Sequence, residues 1–122
     1  MPTNDTNATM NHTTPEQGPA AWLVMTTLDD PAVADRLAGM LVEQRLAACV
    51  HILPTGRSVY LWKGNIEIDT EVTLLIKTSA ARRDELQARL AEQHPYETPE
   101  IIALPIAAGL PDYLDWITEC TS

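Results

Sequence analysis

Apolar positions along the chain fall into stretches with two different periods. Trp22 to Leu28 is a short, nearly continuous apolar run, the pattern of a buried strand. Asp29-Asp30-Pro31 then opens a helix, because Asp30 suits the N-cap and Pro31 the first helical position, where no N–H is needed. Val33, Leu37, Met40 and Leu41 recur at helical spacing and Leu46 extends the stripe, so this helix is predicted to run to about Leu46. Ala48 to Leu53 reads as a second strand, interrupted at Pro54-Thr55-Gly56 and resumed from Ser58 to Trp62. Proline inside a strand predicts a bulge or an edge position. Lys63-Gly64 makes a tight hairpin turn. From Asn65 to Thr78 the period is two. Ile66, Ile68, Val72, Leu74 and Ile76 share one face; Glu67, Asp69, Glu71, Thr73 and Lys77 share the other, with Leu75 the exception. Ser79 is placed to cap a second helix from Ala80 to Gln93, whose thin apolar stripe is mainly Leu86 and Leu90 and which Pro95 stops. Glu100 to Ala107 is a fourth strand, and Pro105 places it at a sheet edge. Leu110-Pro111-Asp112 leads into a short last helix carrying Tyr113, Leu114, Trp116 and Ile117.

The order β-α-β-β-α-β plus a final helix predicts an α+β fold of the ferredoxin-like, split βαβ type. Its second and third strands form an extended hairpin, and a short C-terminal helix follows. A strand from Asn65 to Thr78 would span roughly 45 Å at about 3.4 Å per residue. A two-stranded ribbon that outruns its domain is marginal in water. Val59, Leu61, Ile66 and Ile68 on its far half need a second surface, which predicts a homo-oligomer.

Composition adds bounds. With 122 residues, 45% of them hydrophobic and 20% charged, the chain reads as one globular domain, taken here as residues 20–122. Residues 1–19, rich in Thr, Asn and Pro, are expected to form a disordered tail, and the N-x-T triplets in it carry no weight without a secretion signal. A net charge of −9 argues against nucleic acid as a partner. The absence of a long apolar run argues against a membrane span, and no signal peptide is visible. Cys49 and Cys120 are too few for a disulfide scaffold, so a cytoplasmic location is expected.

Candidate chemistry is concentrated in Gln93-His94-Pro95-Tyr96-Glu97-Thr98-Pro99-Glu100. Two prolines stiffen this connector, which suits either a site or a well-made turn. Cys49, His51 and His94 are the soft and borderline metal ligands, but no C-x-x-C or H-x-x-x-H spacing joins them, and buried Cys more often acts as a small hydrophobe. The row Glu67, Asp69 and Glu71 reads either as a cation-binding edge or as the solvated face of a strand. Glu97 and Glu100 are the one carboxylate pair that could be drawn for acid–base work. No nucleophile elbow or glycine-rich phosphate loop is present, so neither an enzyme nor an organic cofactor is expected.

Five segments together resemble the CutA (divalent-cation tolerance) family: Glu43 to Val50, Tyr60 to Gly64, Glu71 to Thr78, His94 to Glu100 and Asp112 to Ile117. The resemblance spans about residues 21–120. It implies a ferredoxin-like subunit in a tight homotrimer, PII-like in shape, with tolerance of copper and other divalent cations as its biological association and small-ligand signalling as the alternative. It also implies metal binding at Cys49 and His94. A further cysteine of some members is replaced here by Thr26, a poorer copper ligand. The cleft between subunits is expected to draw on Tyr60, Trp62, Glu67, Glu71, Lys77 and Tyr96.

Overall fold

The computed structural model describes residues 11–12 and 18–122. The expected tail thus lies outside the described residues, apart from Asn11, His12 and the two positions before Ala20. Four strands form the main antiparallel sheet: β2 (Ala21–Leu28), β3 (Cys49–Ile52), β5 (Asn65–Ser79) and β6 (Ile101–Pro105), in the spatial order β3-β5-β2-β6. With α1 (Pro31–Glu43) after β2 and α2 (Ala80–Gln93) after β5, this is the ferredoxin-like split βαβ arrangement. β6 is an edge strand, as Pro105 requires, and it ends there, two residues short of the expected limit. Two short pieces, β1 (Asn11–His12) and β7 (Ala108–Gly109), pair antiparallel with each other. The chain ends in α3 (Pro111–Cys120).

Alternation along β2 and β5 divides the sheet into two faces. Val24, Leu28, Val72, Leu74 and Ile76 turn toward α1 and α2 and form the main core with Leu37, Leu41, Leu86 and Leu90. In α2 only Leu86 and Leu90 are fully buried, so the thin stripe is real. The opposite face carries no such cover among the described residues. Only α3 crosses it, where Leu114 and Ile117 pack on Ala21 and Ala48, while Ile102 and Leu104 stay exposed.

Two local details depart from the sequence reading. α1 stops at Glu43 rather than near Leu46. Arg45 adopts the left-handed conformation at φ 59, its N–H donates to the Val42 carbonyl, and the Leu46 N–H reaches back to the Leu41 carbonyl at 2.9 Å. That is a Schellman cap, and it turns Leu46 into the core as a loop residue, which explains why it continued the helical stripe. Ser79 occupies the N-cap position of α2 but makes no capping bond; its hydroxyl pairs with that of Thr121 at 2.8 Å and ties α3 to the sheet.

β4 (Gly56–Trp62) extends the third element of the sequence reading and pairs only with the distal half of β5. The pairing slips by one residue between Ile52↔Leu74 and Gly56↔Glu71, so the Pro54 interruption is a bulge. At the tip, Lys63 (φ 50) and Gly64 (φ 83) both have positive φ, the signature of a type I′ turn. The ribbon leaves Val59, Leu61, Ile66 and Ile68 between 60% and 75% exposed in the single chain.

Candidate functional site

Where β2 ends at Leu28, β5 runs on into the ribbon, and the connector after α2 crosses beside it. Between these lies an open cleft of about 1200 Å³. Register positions Tyr60 opposite Glu67, and Ser58 opposite Asp69. Glu67, Asp69 and Glu71 line the ribbon side, Asp29 follows β2, and Glu97 and Glu100 belong to the connector. Six carboxylates therefore share the cleft, and among the described residues no lysine, arginine or histidine lines it.

Two tyrosines fix the carboxylates. The Tyr96 hydroxyl donates to Glu71 Oε2 at 2.8 Å, and the Tyr60 hydroxyl donates to Asp69 Oδ2. Donation to Asp69, together with desolvation and the charges of Asp69, Glu67 and Glu71, pushes the Tyr60 phenol up to about 12. Tyr96 is raised as well, first by desolvation and then by its bond to Glu71.

His94 is buried and holds the connector in place. Its Nδ1 accepts the Tyr96 backbone N–H at 3.1 Å, so the ring proton sits on Nε2, which donates to the Thr27 carbonyl at 2.8 Å. The ring also meets Tyr96 edge-on, centroids 4.8 Å apart. Both imidazole nitrogens are thus engaged in shaping the cleft wall.

The structure brings together five of the six expected cleft residues: Tyr60, Trp62, Glu67, Glu71 and Tyr96. Lys77 stands apart, because it lies six residues further along β5. There it donates to the Tyr113 hydroxyl at 3.1 Å, a bond that raises its pKa, and pairs in register with Cys49. Cys49 and His94 do not converge within one chain. Cys49 aligns through Lys77 with Leu23, four residues from the Thr27 that His94 contacts, or about 13 Å along the strand at about 3.3 Å per residue. Among the described residues no group of three His, Cys, Asp or Glu side chains is arranged to hold a metal ion. Asp29 was legible only as a helix opener, and nothing in the sequence tied it to Glu97 and Glu100. Asp69 carried a signal in its strand parity with Glu67 and Glu71.

Fold and cleft define a ferredoxin-like α+β domain with an acidic, aromatic-lined recess. The family model of the CutA1 divalent ion tolerance protein matches residues 22–120. The divalent-cation tolerance protein CutA of Pectobacterium atrosepticum is 46% identical over 97 residues, 80% of this chain and 88% of that protein. The CutA of Thermus thermophilus is 46% identical over 99 residues, 81% of this chain and 96% of that protein. Among solved structures, the Thermus thermophilus protein superposes with a TM-score of 0.80 at 45% identity, covering 84% of this chain and 99% of its own. CutA from Synechococcus elongatus superposes at 0.85 with 35% identity, covering 94% and 97%. The chain belongs to the CutA1 divalent ion tolerance family. Its relatives are named as tolerance proteins rather than as enzymes. Among the described residues no helix is long and apolar enough to cross a membrane.

Proposed function

We propose that the protein is a homotrimeric divalent-cation tolerance protein of the cytoplasm, which binds metal ions in its acidic clefts and contributes to the response to them. The observation that carries this reading is the set of six carboxylates around one recess that, among the described residues, no basic side chain lines. Clustered negative charge concentrates cations, and oxygen donors suit hard divalent ions. The exposed apolar ribbon and the uncovered sheet face supply the association surface, and three copies is the number the family resemblance implies. Free Cys49 and Cys120 suit a reducing compartment.

Copper is a narrower form of the same reading. Cys49 supplies a thiolate, the softer donor, but His94 has to give up a hydrogen bond to join a metal, and the two meet only if the donors come from different subunits. Titration calorimetry with copper, zinc and magnesium separates these versions. Loss of binding in Glu67→Gln/Glu71→Gln supports the cleft; loss in Cys49→Ser alone moves the metal to the thiolate; binding indifferent to both rejects a specific metal site. A monomeric mass in light scattering at micromolar concentration rejects the trimer. The alternative, a PII-like small-ligand sensor, is favoured by one observation: Tyr60, Trp62 and Tyr96 line the same recess.

A further inference from the structure

We infer that the cleft takes a linear organic polycation of the aliphatic polyamine class, with ammonium groups spaced by about four methylenes. The inference builds on the acidic-cleft reading above and adds a ligand that a metal ion does not resemble. Size is the first argument. A water molecule occupies about 30 Å³ of liquid, whereas the cleft measures about 1200 Å³. The recess is far larger than a single ion requires, and among the described residues no three of its carboxylates converge on one point.

Spacing is the second argument. Glu67, Asp69 and Glu71 alternate on one strand, so same-face neighbours repeat at about 6.7 Å. Four methylenes between two ammonium groups set the nitrogens about 6 Å apart, from C–C and C–N bonds of about 1.5 Å. An extended polyamine therefore matches successive nitrogens to successive carboxylates. A compact dication cannot use that repeat.

Aromatic placement is the third argument. Tyr60 and Trp62 lie in the same row of the ribbon and remain 42% and 58% exposed, so their rings are open to a cation and to the methylenes between cations. Trp62 already shows this affinity: Lys63 Nζ sits 5.6 Å from its ring centroid, so a bound polyamine takes the other face of that ring or displaces Lys63. The opposite wall adds Glu97 and Glu100, and among the described residues no lining lysine or arginine competes for these charges. The cleft also stays compatible with assembly. Register pairs Tyr60 with Glu67 and Val59 with Ile68, so the carboxylates alternate to the face opposite Leu61, Ile66 and Ile68, with Val59 reaching the rim of the cleft.

Calorimetry on the full-length assembly at fixed ionic strength tests this. Spermidine is compared with 1,4-diaminobutane, the shorter 1,2-diaminoethane and magnesium, for wild type and for Glu67→Gln/Asp69→Asn, Trp62→Ala and a control, Glu85→Gln/Glu92→Gln, on the exposed side of α2. Light scattering and circular dichroism confirm that each variant keeps its mass and fold. The expected result is spermidine binding at least tenfold tighter than magnesium, and 1,4-diaminobutane tighter than 1,2-diaminoethane. A tenfold or greater loss is expected in Glu67→Gln/Asp69→Asn, a several-fold loss in Trp62→Ala and no change in the control. Equal losses in the control and cleft variants, or indifference to diamine length, would overturn the inference. Metal binding that falls in the cleft variants while spermidine binding does not would refute the polyamine and leave the metal reading standing.

Discussion

His94 and Thr27 are joined at the end of the central sheet, the imidazole Nε2–H donating to the Thr27 carbonyl at 2.8 Å. The same ring accepts the Tyr96 N–H through Nδ1. A residue that reads in the sequence as a metal ligand is here a strut with both nitrogens occupied. His94→Ala leaves one backbone donor and one backbone acceptor without their partners. Because an unsatisfied buried polar group costs about 1–3 kcal/mol, the two together are expected to cost the variant about 2–6 kcal/mol per chain. Equilibrium unfolding in urea at matched protein concentration measures it. A stability within about 0.5 kcal/mol of wild type, the range of a neutral surface change, would mean that the strut is not structural.

Tyr96 and Tyr60 predict a defined alkaline weakness. Each donates to a carboxylate, so each phenolate would face a negative charge, and both pKa values are raised above the ordinary 10.0. For a group raised on folding, the stabilisation is complete below the unfolded value and is lost as pH climbs through the folded one. The stabilisation these two tyrosines contribute is therefore expected to be complete to about pH 10 and to be lost progressively toward pH 12 and beyond, with Tyr60 at about 12 marking the range. In Tyr60→Phe/Tyr96→Phe that part of the alkaline slope disappears. Thermal melts at stepped pH, with phenolate absorbance as the second readout, check this. An unchanged slope in the double variant would remove these tyrosines from the explanation.

Arg45 offers a stabilising substitution. It holds the left-handed position of the Schellman cap that ends α1, a conformation costing a non-glycine residue about 1–2 kcal/mol. Glycine removes that strain and adds unfolded-state entropy of about 0.4–1 kcal/mol. Arg45→Gly is expected to raise stability by about 0.5–1 kcal/mol, the net of those two effects. A higher urea midpoint with an unchanged slope would confirm it, and a lower midpoint would show that the Arg45 side chain contributes more than its backbone costs.

The ribbon predicts the assembly. Leu61 and Ile66 are paired at its tip, 70% and 75% exposed in the single subunit. An aspartate there should barely disturb an isolated chain, because the position is open to water. In an assembled protein it would bury a charge without a partner, a cost of several kcal/mol. Leu61→Asp/Ile66→Asp is accordingly expected to lower the mass seen by light scattering while near-native circular dichroism persists. An unchanged mass would place the association surface elsewhere.

Much of the architecture was legible because it rests on period and punctuation. The two-residue alternation of β5, the Asp30-Pro31 helix start and the Lys63-Gly64 turn are local signals, and each appears in the structure where its residues put it. The end of α1 was not legible, since Leu46 satisfies the helical stripe and buries itself equally well two residues past the C-cap Gln44. The cleft was half visible. Parity aligned Glu67, Asp69 and Glu71, but the same parity also carried Lys77, and nothing in one strand's sequence says that its two halves face different surroundings. The role of His94 was hidden for a different reason: its partners are a backbone carbonyl 67 residues away and a neighbouring backbone N–H, and backbone groups leave no mark in a sequence.

In the proposed assembly, β5 is an internal gauge of association. From Val72 to Ser79 the strand is flanked by β2, with β3 alongside part of it; from Asn65 to Glu71 it is paired with β4 alone. Amide hydrogens on one unbroken strand thus belong to two regimes, the first opening only with the whole domain, the second with the ribbon. Dilution should speed exchange on the tip side of the Glu71–Val72 boundary first. One strand then separates the loss of neighbours from the loss of fold, with no label added to the protein.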